Sequence, residues 1–214
     1  MLDGKRQQYK DVEEIQREYQ ERKRAIRNRL AEFAAVRPDE YFYELVYCLL
    51  TPQSSAVNAG RAVEALKAVN LFGSDVDAAP LLHQKNFYIR FHNTKAKRLR
   101  DVRKGFPDIV RRLCNGASSP QLRAWLVGNV KGLGWKEASH FLRNIGHRDL
   151  AILDRHILKN LKKHGVIRSL PHTLTPKRYL AIEQQFSGFA QRIGISMDEL
   201  DLLFWSRETG EILK

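Results

Sequence analysis

Along most of the chain, apolar residues return every three or four positions, and no stretch alternates with period two for long. The period is helical. Val12, Ile15, Tyr19, Ile26, Leu30 and Phe33 trace one stripe through residues 9–35, broken only by Arg22. Pro38 and the acids Asp39 and Glu40 open a second helix with Phe42, Leu45, Val46 and Leu49 inward, and Thr51-Pro52 ends it. A polar loop, Gln53-Ser54-Ser55, leads to a third face of Ala56, Ala59, Ala62, Val63 and Leu66. Residues 70–82 carry no clear period. Thr94 is placed to cap the next helix, whose face is Leu99, Val102 and Phe106. Phe87 and Tyr88, just before it, read as core.

Ser119-Pro120 starts a helix through Leu122, Trp125 and Leu126, and another follows with Ala138, Phe141, Leu142 and Ile145 inward and Gly146 as its stop. Asp154 precedes a face of Ile157, Leu158 and Leu161, and residues 177–193 give a helix through Ile182, Phe186, Phe189 and Ile193. Ser196 to Glu199 is a capping box that opens the last helix, with Leu200, Leu203 and Phe204. The fold class is all-α, without an internal repeat.

Between two of these helices lies Val130-Lys131-Gly132-Leu133-Gly134. A Gly-x-Gly turn at a helix start turns successive N–H groups outward. Those groups and the helix dipole suit a phosphate and read no base sequence. Lys136 follows in the first helical turn, where the dipole and partial burial favour the neutral amine that a nucleophile requires. Asp154 comes eighteen residues later, at another helix start that favours its carboxylate. An amine and a carboxylate could break an N-glycosidic bond, leave a Schiff base on the sugar, and cleave the strand by β-elimination. The spacing alone leaves open a surface lysine and a plain N-cap. Phe91, before a Lys- and Arg-rich helix start, suits a wedge in a base stack or a core position equally.

Composition narrows the partner. Lys and Arg number 37 against 24 Asp and Glu, a net charge of +13. That favours a polyanion, nucleic acid before an acidic membrane, although a solvated charged surface has the same signature. Cys48 and Cys114 stand 66 residues apart, which excludes a four-cysteine zinc or iron–sulfur site. No apolar leader and no 18-residue apolar run are present, so a cytoplasmic protein without a membrane partner is expected.

From Tyr43 to Leu161 the sequence resembles the helix-hairpin-helix DNA glycosylase superfamily. Leu133 to Ala138 looks like the hairpin exit with the lysine of the bifunctional branch, and Asp154 occupies the position of the family aspartate. Leu49 to Ala56, with Gln53, looks like the gap-filling loop. Phe91, in the segment to Ala96, matches the wedge. The ending, Leu202 to Lys214, resembles the compact 8-oxoguanine glycosylases of archaea and some bacteria.

The resemblance implies two helical subdomains with the hairpin motif at the cleft between them. The central one would span about residues 50–150, with the hairpin at 120–145. Helices 9–50 and 154–214 would make the second. It implies a monomer that acts on double-stranded DNA containing an oxidised base, through Lys136 and Asp154. Gln53 would fill the vacated space, Phe91 would wedge the stack, and Gly132 and Gly134 would grip phosphate. No cofactor and no metal site are implied beyond a monovalent cation at the hairpin carbonyls. Lys214 would place an acceptor for the N7–H that distinguishes 8-oxoguanine from guanine, with Trp205 or Phe204 lining the base pocket. Two other readings stay open, a lyase-active glycosylase for oxidised pyrimidines and a non-catalytic DNA-binding module.

Overall fold

The computed structural model describes residues 9–212. Among them the regular elements are helical: α1 (Val12–Ala34), α2 (Tyr41–Leu50), α3 (Ala56–Ala68), α4 (His92–Leu113), α5 (Ser119–Asn129), α6 (Trp135–Asn144), α7 (Arg155–Lys163), α8 (Pro176–Ile193) and α9 (Met197–Thr209). Short 3-10 turns occupy Pro38–Glu40 and Pro80–Leu82, and one antiparallel bridge pairs His83 with Tyr88.

The chain forms two compact units. One comprises Ala35–Ile145; the other joins the residues up to Ala34 with those from Gly146. This shifts the expected boundary. α2 belongs with the central unit rather than with the first helix, because it is apolar on nearly every side and packs against α3, α4 and α6. Its one buried acid, Glu44, accepts from the Asn144 amide of α6 at 3.0 Å, so burial leaves no orphaned carboxylate there. Fully buried rings such as Phe42 and Phe141 each contribute about 1.5–3 kcal/mol by leaving water.

In the other unit, α9 is the centre, packed on α1, α7 and α8. Arg22, the break in the α1 stripe, turns its guanidinium onto the Ser206 hydroxyl at 3.1 Å. Tyr19 donates its hydroxyl hydrogen to Glu199 at 2.6 Å, which ties the same two helices.

Three local readings change. α4 begins at His92, so Thr94 lies inside it and Phe91 takes the cap position in a left-handed conformation. The cap of α5 is Ser118, one residue before the expected one. Tyr88 is exposed rather than core, edge-on to His83 at 5.3 Å and to His92 at 5.8 Å.

Candidate active site

The hairpin between α5 and α6 belongs wholly to the unit Ala35–Ile145. Val130 closes it by accepting from Leu133 N–H at 3.1 Å, and Gly134 caps α6. Its two glycines are constrained to different degrees. Gly132 has φ +89°, where an L side chain is strained, and an added Cβ would meet the Arg98 side chain at 2.5 Å. Gly134 has an ordinary φ of −87°, but a Cβ there would come 2.8 Å from the Glu137 carboxylate. The space over the glycines is thus lined by the chain's own Arg98 and Glu137. Arg98 brings a guanidinium to the turn, which adds to the attraction for an anion.

A buried clamp sets the angle at which α6 leaves the turn. Arg123 of α5 is almost wholly buried, donates to Ser139 of α6 at 3.1 Å, and lies 4.9 Å from the centre of the Trp135 ring. Trp135 immediately precedes Lys136. The Lys136 side chain is 29% exposed and its ammonium pairs with Glu137 at 3.1 Å. Glu137 was not singled out from the sequence. The pair has to open before the amine can attack anything.

A second lysine stands close by in electrostatic terms. Lys95 is 2% exposed, and its ammonium donates to Leu50 O and Pro52 O, both at 2.7 Å, and to Ser54 Oγ at 3.3 Å. Burial pushes it down to about 8; Arg98 and Lys136 act in the same direction and Glu137 opposes them. A lowered lysine pKa is the usual mark of an amine nucleophile. Here it misleads, because the three donor directions of Lys95 are occupied and its nitrogen is closed off. Lys136 is the accessible amine. A signal for Lys95 was present in the sequence: it stands four residues before Leu99 on the stripe that continues through Val102 and Phe106.

Lys95 holds the loop that carries Gln53. Gln53 is exposed, with φ +57°, and Phe91 is 50% exposed, with φ +60°. Each non-glycine residue in this region costs about 1–2 kcal/mol, which the surrounding contacts must offset. Ser54 links the two: its hydroxyl accepts from Arg90 N–H at 3.1 Å and from Lys95. The Arg90 guanidinium lies 5.1 Å from the Phe91 ring centre. For Phe91 the structure thus rejects the core position.

The remaining residues belong to the other unit. Asp154 caps α7, its Oδ1 accepting from the His156 and Ile157 N–H groups at 2.8 Å each. Its Oδ2 accepts from the Trp205 indole N–H at 2.9 Å. Both oxygens are therefore oriented, one by main chain and one by α9. Trp205 is half-buried, with His156 packed against it at 5.4 Å, and its role in holding Asp154 was not foreseen. Phe204 corrects an expectation. It is 0% exposed, packed against His164 and Phe186, and offers no face to a base; it is a core ring. Lys214 lies outside the described residues.

Residues 26–195 match the family model described as 8-oxoguanine DNA glycosylase. The chain belongs to the 8-oxoguanine DNA glycosylase family. Within that family, the 8-oxoguanine DNA glycosylase/AP lyase of Fusobacterium nucleatum is 42% identical over 211 residues, covering 94% of this chain and 96% of the relative. The crystal structure of the Thermotoga maritima 8-oxoguanine DNA glycosylase superposes with a TM-score of 0.82 at 33% identity, covering 95% of this chain and 98% of that one. That of the Methanocaldococcus jannaschii 8-oxoguanine glycosylase/lyase, in complex with a 15mer DNA containing 8-oxoguanine, gives 0.81 at 33%, covering 95% and 99%. The segment matched to the 8-oxoguanine DNA glycosylase family spans Gln53, Phe91, the hairpin, Lys136 and Asp154, and stops before Trp205 and Lys214.

Proposed function

We infer that this protein is a bifunctional DNA repair enzyme that excises 8-oxoguanine and then cleaves the abasic strand. The observation that carries this reading is the accessible Lys136 ammonium at the mouth of a glycine hairpin, in a chain of this family. Curated relatives that match 94–96% of the chain are named as glycosylase and AP lyase together.

The chemistry follows from the side chains. The target nucleotide leaves the stack; Gln53 fills the space it vacates, and Phe91 wedges the stack beside the opposite base. The hairpin N–H groups and Arg98 hold a backbone phosphate. Once Lys136 has given up a proton and parted from Glu137, its nitrogen attacks the sugar C1′. The bond from C1′ to the base breaks, and the base departs with that electron pair and is protonated. Asp154, an oriented carboxylate, supports the positive charge that builds on the sugar. Opening of the sugar ring gives an imine between Lys136 and C1′. The imine acidifies C2′–H; loss of that proton expels the 3′ phosphate, and water then releases the enzyme. No step needs a redox cofactor or a divalent metal. A monovalent cation at the hairpin carbonyls would only strengthen the phosphate contact.

Selectivity is assigned to the C-terminal segment, with Trp205 beside Asp154 and Lys214 supplying an acceptor for N7–H. A panel of duplexes, each with a single lesion, tests the reading. It expects excision of 8-oxoguanine well above guanine and above oxidised pyrimidines, and a narrower preference after removal of Lys214. Preferred release of an oxidised pyrimidine would transfer the enzyme to a different substrate class. Binding without release of any base would reduce it to a DNA-binding module.

A further inference from the structure

The two residues assigned to the DNA stack do not stand on independent loops. Gln53 follows α2 and Phe91 precedes α4, 38 positions apart in sequence. Both have left-handed backbones, which side-chain-bearing residues keep only where neighbours enforce them. The enforcing contacts converge on one buried cation. Lys95 reaches back from the first turn of α4 to the end of α2 and ties down Leu50, Pro52 and Ser54. Its own N–H donates to Phe91 O at 2.9 Å, so its backbone holds one prong while its side chain holds the other. Ser54 closes the circuit through Arg90 N–H.

We propose that Lys95 is a positioning residue that, with Ser54, sets Gln53 and Phe91 as one preformed two-pronged element for entering the duplex. The inference rests on the roles assigned to Gln53 and Phe91 above. It explains why an ammonium is kept in so closed a place: three acceptors, on both sides of Gln53, need three donors, and only a charged lysine supplies them from one nitrogen. A preformed element also lowers the ordering cost of entering the stack.

The test uses the full-length protein and a duplex with 2-aminopurine beside the 8-oxoguanine, whose fluorescence rises when the stack is opened. Ser54→Ala cuts the link and leaves two acceptors on Lys95; Lys95→Met removes the cation. Each is read for thermal unfolding, for the 2-aminopurine rise, and for the ratio of single-turnover rate on duplex to borohydride trapping on a single-stranded abasic oligonucleotide. The duplex term needs the prongs and the single-strand term does not. The expected result for Ser54→Ala is a folded protein in which that ratio and the fluorescence rise fall about five- to tenfold, the equilibrium value of one hydrogen bond. If Lys95→Met does not fold, Ser54→Ala decides. Gln53→Ala and Phe91→Ala separate the two layers of inference. If neither changes the fluorescence, the wedge reading fails and the proposal falls with it. If both do while folded Ser54→Ala and Lys95→Met match the parent, the positioning role alone is wrong.

Discussion

Replacing Lys95 by methionine gives a prediction whose size follows from the structure. The buried ammonium has a pKa of about 8, against an ordinary value near 10.5 in the unfolded chain. The groups that face it are Arg98 on α4 and Lys136 and Glu137 on α6. Below pH 8 both states hold the proton, and the native state bears the full cost of a buried cation. Between pH 8 and 10.5 the unfolded chain still binds the proton and the native state does not, so stability rises with pH through this window. At about 1.4 kcal/mol per pH unit, the rise reaches about 3.5 kcal/mol at most and levels off above the unfolded value. Lys95→Met lacks this contribution. At pH 7 it escapes the buried charge but strands Leu50 O and Pro52 O, which costs a comparable amount. The variant should therefore lie within about 2 kcal/mol of the parent at pH 7 and fall behind as pH rises. Urea unfolding of both proteins from pH 7 to 10.5 measures the difference, with other lysines and tyrosines cancelling. A gap that stays constant over that range would refute the argument that Lys95 is a desolvated cation.

Three further substitutions probe the site. Trp205→Phe keeps an aromatic, though smaller, ring but removes the donor to Asp154, a hydrogen bond to a charged acceptor of about 1.5–3 kcal/mol before water replaces part of it. The single-turnover excision rate should fall about tenfold with little change in duplex affinity; an unchanged rate would mean that Trp205 does not orient Asp154. Gly132→Ala should cost about 1–2 kcal/mol in thermal unfolding because of its positive φ, and weaken duplex binding, whereas Gly134→Ala should leave stability nearly intact and displace Glu137 from Lys136.

The helices were legible in the chain because each buries one stripe, and a stripe of period 3.6 is visible without coordinates. Ile15, Tyr19, Ile26, Leu30 and Phe33 of α1 are all buried. Asp154 was legible as a cap for the same local reason. The partners of these residues were harder to read. Trp205 reaches Asp154 across 51 positions, and Lys95 reaches Leu50 across 45; no local pattern encodes either. The left-handed backbones at Gln53 and Phe91 had no glycine to announce them. Lys95 hid among Lys97, Arg98 and Arg100 as one more surface cation, though its register with Leu99 placed it on the buried side. Phe204 erred the other way: it continues the stripe of Leu200 and Leu203, and that periodicity was a better guide to its place than proximity to the C-terminal segment.

The proposed chemistry rests on a covalent bond between Lys136 and the sugar. It is tested most directly by borohydride reduction during reaction with an 8-oxoguanine duplex, comparing the parent with Lys136→Gln. The expected result is a stable protein–DNA adduct for the parent and none for the variant, with duplex affinity retained. A variant that still forms the adduct would place the nucleophile on another residue.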